Sequence, residues 1–171
     1  MAYGHTVTNE QIPLFAQEAT QRTVRRKGIP MVRIAMVKEG KLPCYNTRVN
    51  SSAVAHEILR TYLDDVDREY FLVIMLDRKN HALAVNVVSI GSLTGSLAHP
   101  RETFKPAILC NAAAIICGHN HPSGDPQPSQ EDRVLTKRLK EAGELLGIHF
   151  LDHVVLGCNG RYFSFADENW L

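Results

Sequence analysis

The sequence predicts an α/β fold with a mixed sheet, and three observations carry that reading. Two apolar runs, Tyr70–Leu76 and Ala112–Cys117, have the continuous character of strands covered on both faces. Stretches of helical periodicity lie between the candidate strands. Helices interleaved with buried strands make an α/β layer architecture. The chain has 171 residues, 44% of them hydrophobic and 22% charged. That suits one domain with a real core, plus an extension.

Taken in order, residues 1–50 read as an N-terminal extension that pairs with or wraps the main domain. Ile12, Phe15, Ala16 and Ala19 fall at helical spacing, so a short helix is expected from about Asn9 to Thr23. The basic cluster Arg22, Arg25, Arg26 and Lys27 reads as a solvated face, with a phosphate-binding patch as the alternative. Met31–Val37 reads as a strand, closed by a turn over Lys38–Lys41.

The main domain, residues 51–171, opens on a helix that Ser51 or Ser52 can cap. Val54, Ile58, Tyr62 and Val66 form its expected buried stripe. Tyr70–Leu76 is the first buried strand, and Asp77–Asn80 turns the chain into a second over Ala82–Ile90. Gly91 to His99 is loop-like. Pro100 suits the first turn of a helix running to about Asn111. Ala112–Cys117 is the third strand, and the chain from Gly118 to Pro128 is a loop carrying three prolines and two glycines. A helix follows from Gln130 to about Leu146, striped by Leu135, Leu139, Ala142 and Leu146 and stopped by Gly147. Ile148–Leu156 and Arg161–Phe165 close the domain as strands.

Bulk properties exclude several functional classes. The formal net charge is +1, so no global field draws the chain to nucleic acid or acidic membranes. No apolar run approaches the ~20 residues of a membrane span. The first residues lack the charged and apolar regions of a signal peptide, and a cytoplasmic protein is expected. Four cysteines without a CxxC pair read as buried free thiols rather than a zinc knuckle.

The chemistry concentrates in Gly118–Asp132. In extended chain, residues two apart face the same side, so His119 and His121 project together. Two imidazoles so placed suit one metal ion. Asp132 falls in the first turn of the next helix, three residues after the candidate cap Ser129, as in a capping box. A helix N-terminus favours an ionised carboxylate there. Two histidines and a carboxylate leave the fourth tetrahedral position of one zinc ion open to water, which is the catalytic rather than the structural pattern. Zinc lowers the pKa of such a water to ~7, making it a nucleophile toward a carbonyl. Ser129 stands beside the ligands as a hydrogen-bond donor for the developing oxyanion. His153, in an apolar strand, reads as a core histidine, with support of a ligating imidazole as the alternative.

His119-x-His121-Pro122 followed by Ser129-x-x-Asp132 resembles the JAMM motif of JAB/MPN-domain metalloproteases. The longer string HNHPSGDPQPSQED is similar to the signature of the RadC-like branch. The likeness extends through Pro100-Arg101-Glu102, Asn111–Ala114 and Leu151-Asp152-His153, covering roughly residues 50–165. It implies a cytidine-deaminase-like α/β sandwich holding one Zn2+. It also implies a catalytic glutamate upstream, at the start of a strand beside the first helix. Glu69, directly before Tyr70–Leu76, fits. By similarity it takes a proton from the zinc-bound water and returns it to the leaving amine. Glu102 is the rival, though it suits a helix start.

The expected activity is therefore a zinc-dependent hydrolase of amide bonds, a metallopeptidase or isopeptidase acting on a protein or peptide. Two alternatives stand beside it. One is a DNA-associated accessory or repair factor of the RadC type, although residues 1–50 lack the helix-hairpin-helix region of longer RadC proteins. The other is a non-catalytic MPN-like binding module. The contiguous His119-Asn120-His121 is not the spread HNH of nucleases, and the HxE and PCxxC of nucleobase deaminases are absent. Two-metal nucleases want more carboxylates than this segment offers.

Overall fold

The computed structural model describes residues 28–64, 66–91 and 98–171. The expected helix at Asn9–Thr23, the basic cluster at Arg22–Lys27 and most of the Gly91–His99 loop lie outside them. The chain divides between Ile34 and Ala35, and the body from Ala35 onward carries all the named elements. These are α1 (Ser52–Leu63), β1 (Tyr70–Leu76), β2 (Ala82–Ile90), α2 (Pro100–Leu109), β3 (Ala114–Asn120), α3 (Gln130–Leu146), β4 (His149–Leu156) and β5 (Tyr162–Ser164).

The five strands form one sheet in the order β2-β1-β3-β4-β5. The β3–β4 pair is parallel and the other three pairs are antiparallel, so the sheet is mixed, as the sequence predicts. A parallel pair needs a crossover, and α3 supplies it. β1 and β3 are buried along almost their whole length, in keeping with their unbroken apolar runs.

The sheet separates two layers of core. Leu72, Ile74, Leu76, Ala114 and Ile116 pack with Ala55, Ile58, Leu59 and Leu63 of α1. The alternate residues Phe71, Val73, Met75, Ile115 and Cys117 pack with Phe104 and Ala107 of α2 and Leu139 of α3. This is the period of two expected of strands. Burial of such cores, at ~25 cal/mol per Å2 of apolar surface, is the main force holding the layers together.

Several expectations need correction. Met31–Val37 forms no strand. An apolar run needs a hydrogen-bonding edge as well as side chains, and the pairing at this end comes later: Val49 N donates to Asn80 O at 2.8 Å and Ala82 N to Thr47 O at 2.7 Å. Ser51 is the cap of α1. The buried residues of α1 are Ala55, His56, Ile58, Leu59 and Leu63, while Tyr62 is exposed, so the stripe is rotated from the expected one. Likewise α3 buries Thr136, Leu139 and Gly143 and exposes Leu146. The third strand starts later than expected and runs on through Gly118, His119 and Asn120. All four cysteines are free, yet only Cys117 is buried.

Candidate metal centre

The centre stands where β3 leaves the sheet. His119 is opposite Phe71 of β1 and beside Val155 of β4, so it sits on the central strand, on the α2/α3 face. It is fully buried, with its ring stacked on Phe71 at 6.0 Å. His121 lies just past the strand, and its backbone N still donates to Leu156 O at 2.9 Å. Gly118 allows close packing here: a Cβ on it would lie 2.3 Å from Leu59 Cδ1.

The loop after His121 is held at several points. Gly124 adopts φ +78°, a left-handed conformation suited to glycine. Its N–H donates to His121 O at 2.9 Å, and its carbonyl accepts from Cys158 N at 3.0 Å and from Arg161 at 3.1 Å. The Asp125 carbonyl, fixed between these contacts and Pro126, accepts a 2.7 Å bond from His121 Nδ1. A carbonyl cannot donate, so Nδ1 carries the proton and, in the neutral ring, Nε2 keeps its lone pair.

Asp132 enters from α3. Ser129 caps that helix: its Oγ accepts from Asp132 N at 3.1 Å, and a reciprocal 2.7 Å bond runs from Ser129 N to Asp132 Oδ2. The Ser129 hydroxyl donates to the same oxygen at 2.6 Å. The carboxylate is thereby turned toward the histidines.

Three candidate ligand side chains converge as a result. His119 Nε2 lies 3.0 Å from His121 Nε2, His119 Nε2 lies 3.3 Å from Asp132 Oδ1, and His121 Nε2 lies 3.5 Å from Asp132 Oδ2. Tetrahedral zinc with bonds of 2.0–2.1 Å places neighbouring ligand atoms roughly 3.3–3.4 Å apart. Two imidazole nitrogens and a carboxylate at that spacing fit such an ion. Among the described residues, His119, His121 and Asp132 are the one group of this kind able to hold a metal. The exposures of the three side chains are 1%, 18% and 13%, so the group has a closed floor and an open mouth.

Electrostatics match this geometry. Burial alone would push the Asp132 carboxyl up, but the His119 and His121 rings beside it and the Ser129 hydroxyl outweigh that and hold the group well below the ordinary carboxylate range. The Asp132 carboxylate raises the pKa of His121 against the opposing effect of burial, with the Glu69 charge adding to the rise. Burial pushes His153 well below the ordinary imidazole value.

Glu69 precedes β1. The paired register of β1 with β3 ends at Phe71↔His119, two residues after Glu69, and the Glu69 charge is felt at His121. Asn120, between the two histidines, points to the other face and grips this corner: its Oδ1 accepts from Tyr70 N at 2.9 Å, and its Nδ2 donates to Arg68 O at 2.9 Å. Both backbone neighbours of Glu69 are thereby tied to the ligand strand. The rival Glu102 occupies the first turn of α2, paired with Lys105 and Arg101.

Asn120 and Thr136 carry no role in the sequence reading. Asn120 lies hidden inside a string whose lettering suggests a different enzyme class. Thr136 had one available signal, its position one helical turn after Asp132 on the face turned toward the sheet.

The family model of the RadC-like JAB domain matches residues 49–170. The chain is 43% identical over 155 residues to a UPF0758 protein of Moorella thermoacetica, covering 86% of this chain and 67% of the relative. It is 59% identical over 97 residues to a UPF0758 protein of Desulforamulus reducens, covering 57% and 43%, and 49% identical over 124 residues to one of Trichlorobacter lovleyi, covering 72% and 54%. The chain thus spans from under half to about two thirds of the length of these curated relatives. With the family match extending from the end of the N-terminal segment to the penultimate residue, the chain belongs to the RadC-like JAB domain family.

Proposed function

We propose that this protein is a zinc-dependent hydrolase of the JAMM type that cleaves an amide bond in a peptide or isopeptide substrate. The observation that carries the reading is the convergence of His119 Nε2, His121 Nε2 and Asp132 at zinc-ligand spacing, with the mouth open to solvent. Zinc bound there supplies Lewis acidity and lowers the pKa of its water to ~7.

The chain's own residues supply the rest. His119 and His121 each present Nε2, and Asp132 presents its carboxylate oxygens. The Glu69 carboxylate, whose charge is felt at His121, accepts a proton from the attacking water and delivers it to the leaving amine. Ser129 has two tasks. Its Oγ–H rests on Asp132 Oδ2, and to stabilise the oxyanion it turns from there to the substrate oxygen. His119 lies on the buried floor, so substrate approaches from the side of His121 and Asp132.

The test is metal content and cleavage measured on one set of proteins. Wild type purified without added zinc should hold about one zinc per chain, and His119→Ala should hold none. Glu69→Gln should keep its zinc and lose cleavage of model isopeptides by about 10²–10⁴-fold. A wild type that holds no zinc and takes none up when offered refutes the hydrolase reading.

A further inference from the structure

We propose that Thr136 and His153 are positioning residues that set the ring tautomer of His119 and so present its Nε2 lone pair to the metal, an inference that rests on the metal centre proposed above. Three hydrogen bonds carry it, and their directions are forced in sequence.

The main-chain carbonyl of Asp132 can only accept. Thr136 Oγ1, 2.6 Å away, must therefore donate to it. With its single proton engaged, Thr136 Oγ1 offers only lone pairs to His153 Nδ1 at 2.6 Å, so His153 Nδ1 carries a proton and donates. His153 is fully buried, and its two ring nitrogens meet a hydroxyl and an imidazole rather than a carboxylate. A second proton on it would be a buried charge without a partner, which is costly. Its Nε2 therefore holds a lone pair, and His119 Nδ1, 2.9 Å away, must donate to it. In the neutral ring that leaves His119 Nε2 bare, and Nε2 is the atom that faces His121 and Asp132.

The relay closes on itself. It starts at the backbone of the third ligand, passes through α3 and β4, and ends by fixing the first ligand on β3. His121 is fixed separately by the Asp125 carbonyl. Phe165 stacks on the His153 ring at 5.1 Å, and Phe71 lies against it at 5.3 Å, which opposes a ring flip. Partners of this kind fix ligand orientation at metal sites, and here two of them act in series.

The experiment is 15N-edited NMR of the histidine rings at about pH 8, above the ordinary imidazole pKa of ~6.5, combined with zinc affinity by chelator competition. In zinc-free wild type, His119 and His153 should each show one tautomer, protonated on Nδ1. Thr136→Val keeps the shape but loses the hydroxyl. It should give His119 mixed tautomers and weaken zinc binding by about 10–100-fold, and Thr136→Ser should restore both. A wild-type His119 protonated on Nε2 overturns the proposal without need of any variant. So does a Thr136→Val protein with unchanged tautomer and zinc affinity, an outcome that leaves the hydrolase reading standing. Tautomers that respond as stated in a protein that binds no zinc support the relay and refute the hydrolase instead.

Discussion

Replacing Gly157 by alanine probes whether the loop carrying Asp125 is what aims His121. Gly157 directly follows β4 and has no positive φ, so its backbone suits alanine and the added methyl group is the whole perturbation. A Cβ there would lie 2.6 Å from Gly124 O, 2.8 Å from Pro126 Cδ and 3.1 Å from Pro126 N. None of these atoms ends a flexible side chain. Carbon contacts settle at ~3.5 Å or beyond, so the Gly124–Pro126 segment must retreat by roughly 0.5–1 Å. Asp125 lies within that segment, and its carbonyl holds His121 Nδ1 at 2.7 Å. A retreat of that size stretches the bond toward ~3.5 Å, where little of it survives. The expected cost is about 1–3 kcal/mol of stability from overpacking, with zinc affinity reduced about 10–100-fold. Urea unfolding and chelator competition read the two quantities. Gly147→Ala is the control. It introduces strain at φ +68° with nothing within 4 Å of its Cβ, so it should lose about 1–2 kcal/mol and keep wild-type zinc affinity. If Gly157→Ala loses stability but binds zinc as the wild type does, the loop does not aim His121 and the argument fails.

Two further predictions concern the metal-free protein and the Glu69 corner. Folding raises the pKa of His121 through Asp132, so its stabilising contribution is complete below ~6.5 and is lost as pH climbs through the raised value. Burial lowers His153 and His56, so their contributions are complete above ~6.5 and are lost as pH falls. Stability by urea unfolding should therefore peak near pH 6.5 and fall on the acid side, with a slope of at most ~1.4 kcal/mol per pH unit from His153 and a smaller share from His56. His56→Gln should make that slope shallower, and a flat profile from pH 7.5 to 5.5 would contradict the assignment. Asn120→Ala removes both side-chain bonds that flank Glu69. It should cost about 1–3 kcal/mol and lower the cleavage rate more than zinc affinity, whereas an equal loss of both would place its effect on the ligands instead.

Much of this was legible in the sequence because burial and periodicity coincide there. β1, β2 and α3 have the boundaries their patterns predict. The three ligand candidates were legible because spacing alone brings them together: two residues along an extended chain, then a cap and its third residue. Legibility failed where a polar residue is buried for a tertiary reason. Gly118, His119 and Asn120 look like a loop, yet they complete the central strand, since neighbours from β1 and β4 satisfy their backbone. The stripe of α1 was misplaced because Ala55 and His56 are buried where Val54 and Tyr62 look more apolar. His153 was read first as a core histidine. It is one, and its partners, 17 and 34 residues away, could not be seen from local spacing.

The tethered loop between His121 and Asp132 has a thermodynamic consequence. Its Gly124 and Asp125 carbonyls are already held by Cys158, Arg161 and His121, so the chain loses its conformational entropy on folding rather than on loading an ion. Zinc uptake should then release little heat beyond ligand exchange and deprotonation, with a small heat-capacity change. The amides of Gly124 and Cys158 should exchange with solvent almost as slowly in the empty protein as in the loaded one. Ion capture would then be the filling of a finished cage, independent of any refolding step.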